Sequence, residues 1–209
     1  MGGKSKEIET IIWDFDGVIV ESNAIREKGF REVLEGFSKE EVEVLLEFHR
    51  RNGGLSRYVK FRHFFEVIRS ENQVNDERVN GYAEKFSIIM RKLMTNKEIL
   101  IDETVNFIRQ SAKKYNFHIA SGSDQQELRF LCQELGIKDY FKSIHGSPKP
   151  KNDIVREIIE ENSYSNLTTL LIGDAINDYE AARLNGISFM AYNSPESVRA
   201  KSNFELGLV

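Results

Sequence analysis

Apolar and polar positions alternate in two different rhythms along this chain. From residue 21 to about residue 96, apolar side chains recur every three or four positions, as one face of a helix requires. In SNAIREKGFREVLEGF, the residues Ile25, Phe30, Val33, Leu34 and Phe37 fall near one face. SKEEVEVLLEFHRR opens with Ser38 and Glu41, the spacing of a capping box. RYVKFRHFFEVIRS and DERVNGYAEKFSIIMRKLM repeat the same period, so the segment predicts a small helical bundle. On either side the rhythm changes to short apolar runs that end in polar residues or glycine: TIIWDFDG, NFHIASGS, YFKSIHGS, LTTLLIGD and ISFMAYN. Amphipathic stretches at 102–114, 124–135, 152–161 and 178–185 separate these runs. Strand–helix alternation of this kind predicts an α/β fold, a doubly wound parallel sheet with helices on both faces. The bundle then reads as an insert after the first strand. Residues 1–20 and 97–209 would form the core, and residues 21–96 an α-helical cap.

In open sheets of this class, ligands bind beyond the carboxyl ends of the strands, so the tips of the apolar runs hold the candidate chemistry. The first run carries Asp14 and Asp16, which a period of two would point to the same side. Two close carboxylates resist joint ionisation unless a cation compensates or one keeps a proton. The fourth run ends in Gly173-Asp174, with Asp178 four residues later at a helix start. The second ends in Ser121-Gly122-Ser123, and GSPKPKND, with Lys149 and Lys151, follows the third. Gathered on one edge, the carboxylates make a hard oxygen site suited to Mg²⁺. Ser121 and the N–H groups after it could cradle a phosphate, with a lysine as a point charge. Taken singly, each signal has a plainer reading: a helix cap for Asp178, a turn for SGS, a solvated charge for Lys149. Their succession at the tips of four runs is what points to a site.

The motifs DFDGVIVES, IASGS, GSPKPKNDI and IGDAINDYEAARLNG, in this order, resemble those of the haloacid dehalogenase superfamily of phosphohydrolases, in the branch with a helical cap after the first strand. The resemblance runs from the first strand to the last. It implies that Asp14 is the nucleophile, forming an aspartyl-phosphate, and that Asp16 is the general acid and then the base. It also implies Mg²⁺ held by Asp14, the backbone carbonyl of Asp16 and Asp174. Asp178 would support the metal or orient Lys149, and Ser121, Gly122 and Lys149 would bind the phosphoryl group. In the cap, NGGLSRYVKF matches a Gly-x-x-Arg loop that dips into the active site of related enzymes, which makes Gly54 and Arg57 candidate substrate contacts. The alternative there is a helix–helix turn with a solvated arginine. Lys151-Asn152 departs from the small residue and proline that relatives often carry, adding a charge that favours an anionic substrate or decorates a helix start.

The resemblance implies a phosphatase acting on a small phosphorylated metabolite, a sugar or organic-acid monophosphate. A sugar phosphomutase shares the whole core set. A phosphonatase would need a cap lysine, for which Lys60 and Lys85 are the candidates. A phosphoryl-accepting receiver module also clusters aspartates and a lysine, but needs no helical insert.

Composition narrows the partners. The net charge of −4, with 29 basic and 33 acidic residues interleaved, gives no basic stripe for nucleic acid. No apolar run approaches a membrane span, and the opening shows no signal-peptide pattern. MGGKSK carries Lys6 where myristoylation needs Ser or Thr, and reads as a loose end. The lone cysteine, Cys132, sits on an apolar helical face and suits a reducing, cytoplasmic setting. Oligomeric state is left open.

Overall fold

The computed structural model describes residues 7–205 and Gly207; the MGGKSK opening lies outside the described residues. Five parallel strands form one sheet in the order β3-β2-β1-β4-β5. They are β1 (Thr10–Trp13), β2 (Asn116–Asp124), β3 (Ser143–Ser147), β4 (Thr169–Gly173) and β5 (Ser188–Ala191). The central strand, β1, is buried along its whole length, in keeping with its continuous apolar run. The alternation of its side chains separates two cores. Ile11 and Trp13 join Phe117, Ile119, Leu170 and Ile172 on one face. Ile12 joins Ala120, Leu171 and Phe189 on the other, beneath helices α7 (Lys151–Glu161) and α8 (Ile176–Leu184). The sheet is doubly wound.

Between β1 and β2 the chain forms α1 (Asn23–Val33), α2 (Lys39–Arg51), α3 (Arg57–His63), α4 (Asp76–Leu93) and α5 (Asp102–Ser111). The capping box of α2 is present, with Glu41 N–H donating to Ser38 Oγ (3.2 Å) and Ser38 N–H to Glu41 (3.3 Å). The apolar faces of α1 to α4 meet around fully buried Phe30, Phe61, Phe64, Phe65 and Phe86. The single helix expected from RYVKFRHFFEVIRS is instead α3 followed by a π-helical turn, Phe64–Ile68. That wider turn carries the adjacent Phe64 and Phe65 both into the core, which a regular α-helical step would spread apart. Helix α6 (Gln125–Glu134) leaves the tip of β2, and α9 (Glu196–Arg199) follows β5. Among the described residues, no helix is long and apolar enough to cross a membrane.

Candidate active site

Strand β1 ends at Trp13, one residue before the first aspartate. Asp14 N–H extends the ladder by donating to the Ile172 carbonyl (2.9 Å), which sets Asp14 beside the end of β4 and the following Asp174. The chain then turns at Gly17, whose φ of +77° lies in the left-handed region. A Cβ there would fall 2.3 Å from an Asp174 carboxylate oxygen, so glycine lets the turn close onto Asp174. Because Asp14 and Asp16 lie past the strand, the period of two does not govern them. They face different partners, contrary to the expectation of a shared side.

Asp14 is buried and receives a 2.8 Å ion pair from Lys151 Nζ. Lys151 also bonds Asp178, whose other oxygen accepts the Ala175 N–H (3.0 Å). Carboxylate oxygens of Asp14, Asp174 and Asp178 all lie within 4.8 Å of one another. Burial, then the charge of Asp178, raises Asp14 to about 7, against the opposing pull of Lys151. Burial, then Asp14 and Asp178, raises Asp174 to about 8. Carboxylates crowded enough to hold their protons fit a divalent cation, and Asp14 with Asp174 supplies the hard oxygen donors Mg²⁺ prefers. Asp178 completes the acidic triad as a further candidate ligand, and one of its oxygens also holds Lys151.

The structure corrects the choice of lysine. Lys149 is half exposed and pairs with Glu157 at 2.5 Å on the surface of α7. Lys151, at the first position of that helix, is the one buried at the site. It shares a helical face with Ile154, Val155 and Ile158, all buried, so the face that packs α7 on the sheet carries Lys151 inward and leaves Lys149 in the preceding loop.

Asp16 turns its carboxylate away from the acidic cluster. Arg26 of α1 holds it through Nε at 2.9 Å and Nη2 at 3.2 Å, Ser123 Oγ donates at 2.6 Å, and Ser22 Oγ donates as well. Burial alone would raise its pKa, but Arg26 and the two serines outweigh it and hold Asp16 well below the usual carboxylate range. Of Asp16, only the backbone carbonyl is left for a cation.

Strand β2 loses its regular register against β3 between Ala120 and Asp124. The irregularity falls on Ser121-Gly122-Ser123 and frees this loop to face the site. Ser121 Oγ accepts the Ser123 N–H at 3.0 Å. A Cβ on Gly122 would lie 2.4 Å from the carbonyl oxygen of Gly54, so the loop between α2 and α3 rests backbone to backbone on this turn.

The Gly54 loop brings Arg57 to the site's edge, but the guanidinium is already engaged. Its Nη atoms donate to Glu127 of α6 (2.5 and 2.7 Å) and to Ser87 (2.7 Å), and it lies 4.7 Å from the Phe86 ring centroid. Arg26 Nη1 shares the same Glu127 at 2.7 Å. The expected substrate contact at Arg57 is thus met by an internal carboxylate. Sequence reasoning passed over Arg26 and Glu127. Their signal was a charge set among apolar neighbours on a buried face: Arg26 one turn before Phe30, Glu127 one turn before Leu131.

These residues enclose a cavity of about 40 Å³ lined by Asp14, Asp16, Asp174, Ser121, Gly122 and Lys60, among others. His49 also lines it, kept neutral by burial and then by Lys60 and Arg26, with a pKa near 2.

Residues 11–192 match the haloacid dehalogenase-like hydrolase family. A phosphorylated carbohydrates phosphatase of Thermotoga maritima is 22% identical over 187 residues, covering 86% of this chain and 82% of its own. Among solved structures, a "predicted phosphatase" of Clostridium acetobutylicum superposes with a TM-score of 0.76 at 14% identity, covering 95% of this chain and 93% of its own. A beta-phosphoglucomutase of Clostridium difficile gives 0.74 at 16% identity, covering 94% and 89%. With its doubly wound sheet, its acidic strand tips and a family match across most of its length, the chain is an enzyme that belongs to the haloacid dehalogenase-like hydrolases.

Proposed function

We propose that this phosphatase hydrolyses a small phosphorylated metabolite, a sugar or organic-acid monophosphate, through an aspartyl-phosphate on Asp14. The observation that carries the reading is the meeting of Asp14 and Asp174 with buried Lys151, beside the Ser121-Gly122 turn. An Asp14 oxygen attacks phosphorus while the bond to the leaving alcohol oxygen breaks and that oxygen takes a proton from Asp16. Water then attacks the same phosphorus, Asp16 receives its proton, and phosphate leaves with Asp14 restored. Asp16 as held here is ionised, the form that accepts the proton from water. Its acid form requires the Arg26 contact to loosen. Asp14, Asp174 and the Asp16 carbonyl would hold Mg²⁺, which when bound offsets charge on the phosphoryl oxygens. Lys151 keeps Asp14 aimed and charged, and Asp178 fixes Lys151. Ser121 and the Gly122 N–H would receive the phosphoryl oxygens.

The helical insert of residues 21–96 would act as a cap that excludes bulk water during transfer. A cytoplasmic setting accords with the single buried thiol of Cys132.

The test is phosphate release from a panel of phosphorylated sugars and organic acids with Mg²⁺. Release that EDTA and Asp14→Asn both abolish is the expected result. Release that survives Asp14→Asn refutes the mechanism, and isomerised substrate without free phosphate would indicate a mutase, the activity named for the Clostridium difficile neighbour.

A further inference from the structure

Four cationic side chains are buried at this edge of the sheet: Arg26, Arg57, Lys60 and Lys151. A buried charge is costly unless an opposite charge answers it. Arg26 is answered by Asp16 and Glu127, Arg57 by Glu127, and Lys151 by Asp14 and Asp178. Lys60 differs. It is only 4% exposed, yet among the described residues its ammonium forms no ion pair. Its one hydrogen bond goes to the Gly53 carbonyl at 3.0 Å. An ammonium carries three donors, so two are unspent, and the side chain lines the same cavity as Asp14 and Ser121.

We propose that Lys60 is the specificity-determining residue of the cap and that it binds a carboxylate on the substrate, separated by one or two carbons from the phosphoryl group. The inference rests on the phosphatase reading and narrows it, from sugar or organic-acid phosphates to short phospho-acids. Three observations support it. With Arg57 committed to Glu127, Lys60 is the cavity cation left to answer a second anion. The cavity is small, at about 40 Å³, which favours a compact substrate over a bulky one. The lining also carries the rings of Phe30 and Phe86, which offer no hydrogen-bond partners to sugar hydroxyls. Burial, then Arg26 and Arg57 working against the attraction of Asp16, lowers the Lys60 ammonium to about 7, so a bound carboxylate would also restore its charge.

Lys60 lies in the cap sequence SRYVKFRHFF four residues before Phe64, on the inward face of α3. It was a candidate amine in the sequence; its burial makes it an anion site.

The test compares esters matched in length with and without the carboxylate, 2-phosphoglycolate against 2-hydroxyethyl phosphate and 3-phosphoglycerate against glycerol 3-phosphate. In the wild type, kcat/KM should favour the acid of each pair on the order of 10–100-fold, as expected for a hydrogen bond to a charged group. In Lys60→Met and Lys60→Gln that ratio should fall to within about threefold of unity, with the loss mainly in KM. Both variants should melt at or above the wild-type temperature, because an ammonium without a carboxylate partner has been removed. Equal kcat/KM for the two esters in the wild type overturns the inference, whether or not the variants fold. So does a ratio that survives in both variants. Release from no ester by the wild type would instead sink the phosphatase reading beneath it.

Discussion

Glu127→Gln changes one oxygen to nitrogen and should be among the most damaging substitutions in this protein. The Glu127 side chain has no solvent exposure, and the two arginines it holds are 6% and 3% exposed. Three N–H donors, one from Arg26 and two from Arg57, converge on its carboxylate. The amide keeps one acceptor, turns two donors toward guanidinium groups, and leaves one buried positive charge unanswered. Breaking a buried pair in this way costs about 3–5 kcal/mol. The lower end applies here, since Arg26 keeps Asp16 and Arg57 keeps Ser87 and the face of Phe86. For a chain of this size, about 3 kcal/mol is roughly 6–12 °C in Tm. The assay is urea unfolding, in which the midpoint should fall while the slope stays constant. The control is Arg51→Ala, which removes the Arg51–Glu47 pair, whose side chains are 74% and 57% exposed. That loss should stay below about 0.5 kcal/mol. A Glu127→Gln loss below about 1 kcal/mol would show that Arg26 and Arg57 do not depend on this carboxylate.

Two further outcomes bear on the acidic cluster. Lys151→Met should reduce phosphate release on the order of a thousandfold, because Asp14 loses its cation, while Lys149→Met should stay within about twofold; the reverse order of effects would return the role to Lys149. In EDTA, the raised pKa values of Asp14 and Asp174, about 7 and about 8, mean that the folded chain binds more protons than the unfolded one between pH ~4 and ~8. The stability these two groups contribute is therefore present at low pH and lost as pH rises toward 8, whereas Asp16, held low, loses its contribution only in acid. A melting temperature in EDTA that falls from pH 5 to 8, and a rise on adding Mg²⁺ that grows over the same range, is the expected pattern; a flat EDTA profile would refute it.

Sheet, helices and strand tips were legible because the apolar runs are short, separated and bounded by glycine or polar residues. All five runs became strands, and the four core amphipathic stretches became α5 to α8 with ends shifted by a few residues. What the sequence did not convey were partners made across long separations. Glu127 meets Arg57 at a sequence distance of 70 residues and Arg26 at 101, and no local period encodes either pairing. The choice between Lys149 and Lys151 was open to the helical period, since only Lys151 falls on the inward face of α7. Arg57 followed a motif that says where an arginine stands, and says nothing of whether another carboxylate already occupies it.

The contact between Gly54 and Gly122 separates two tasks in the helical insert. Because the Gly54 main chain rests against Gly122 there, the fit depends on the absence of a side chain at Gly122, and Gly54 in turn leaves room for the Asn177 side chain. Positions on α3 that do not touch the loop, such as the exposed Val59, are then free to change without altering how the loop seats. A scaffold built this way can be altered by substitution on one helix while this backbone contact stays the same.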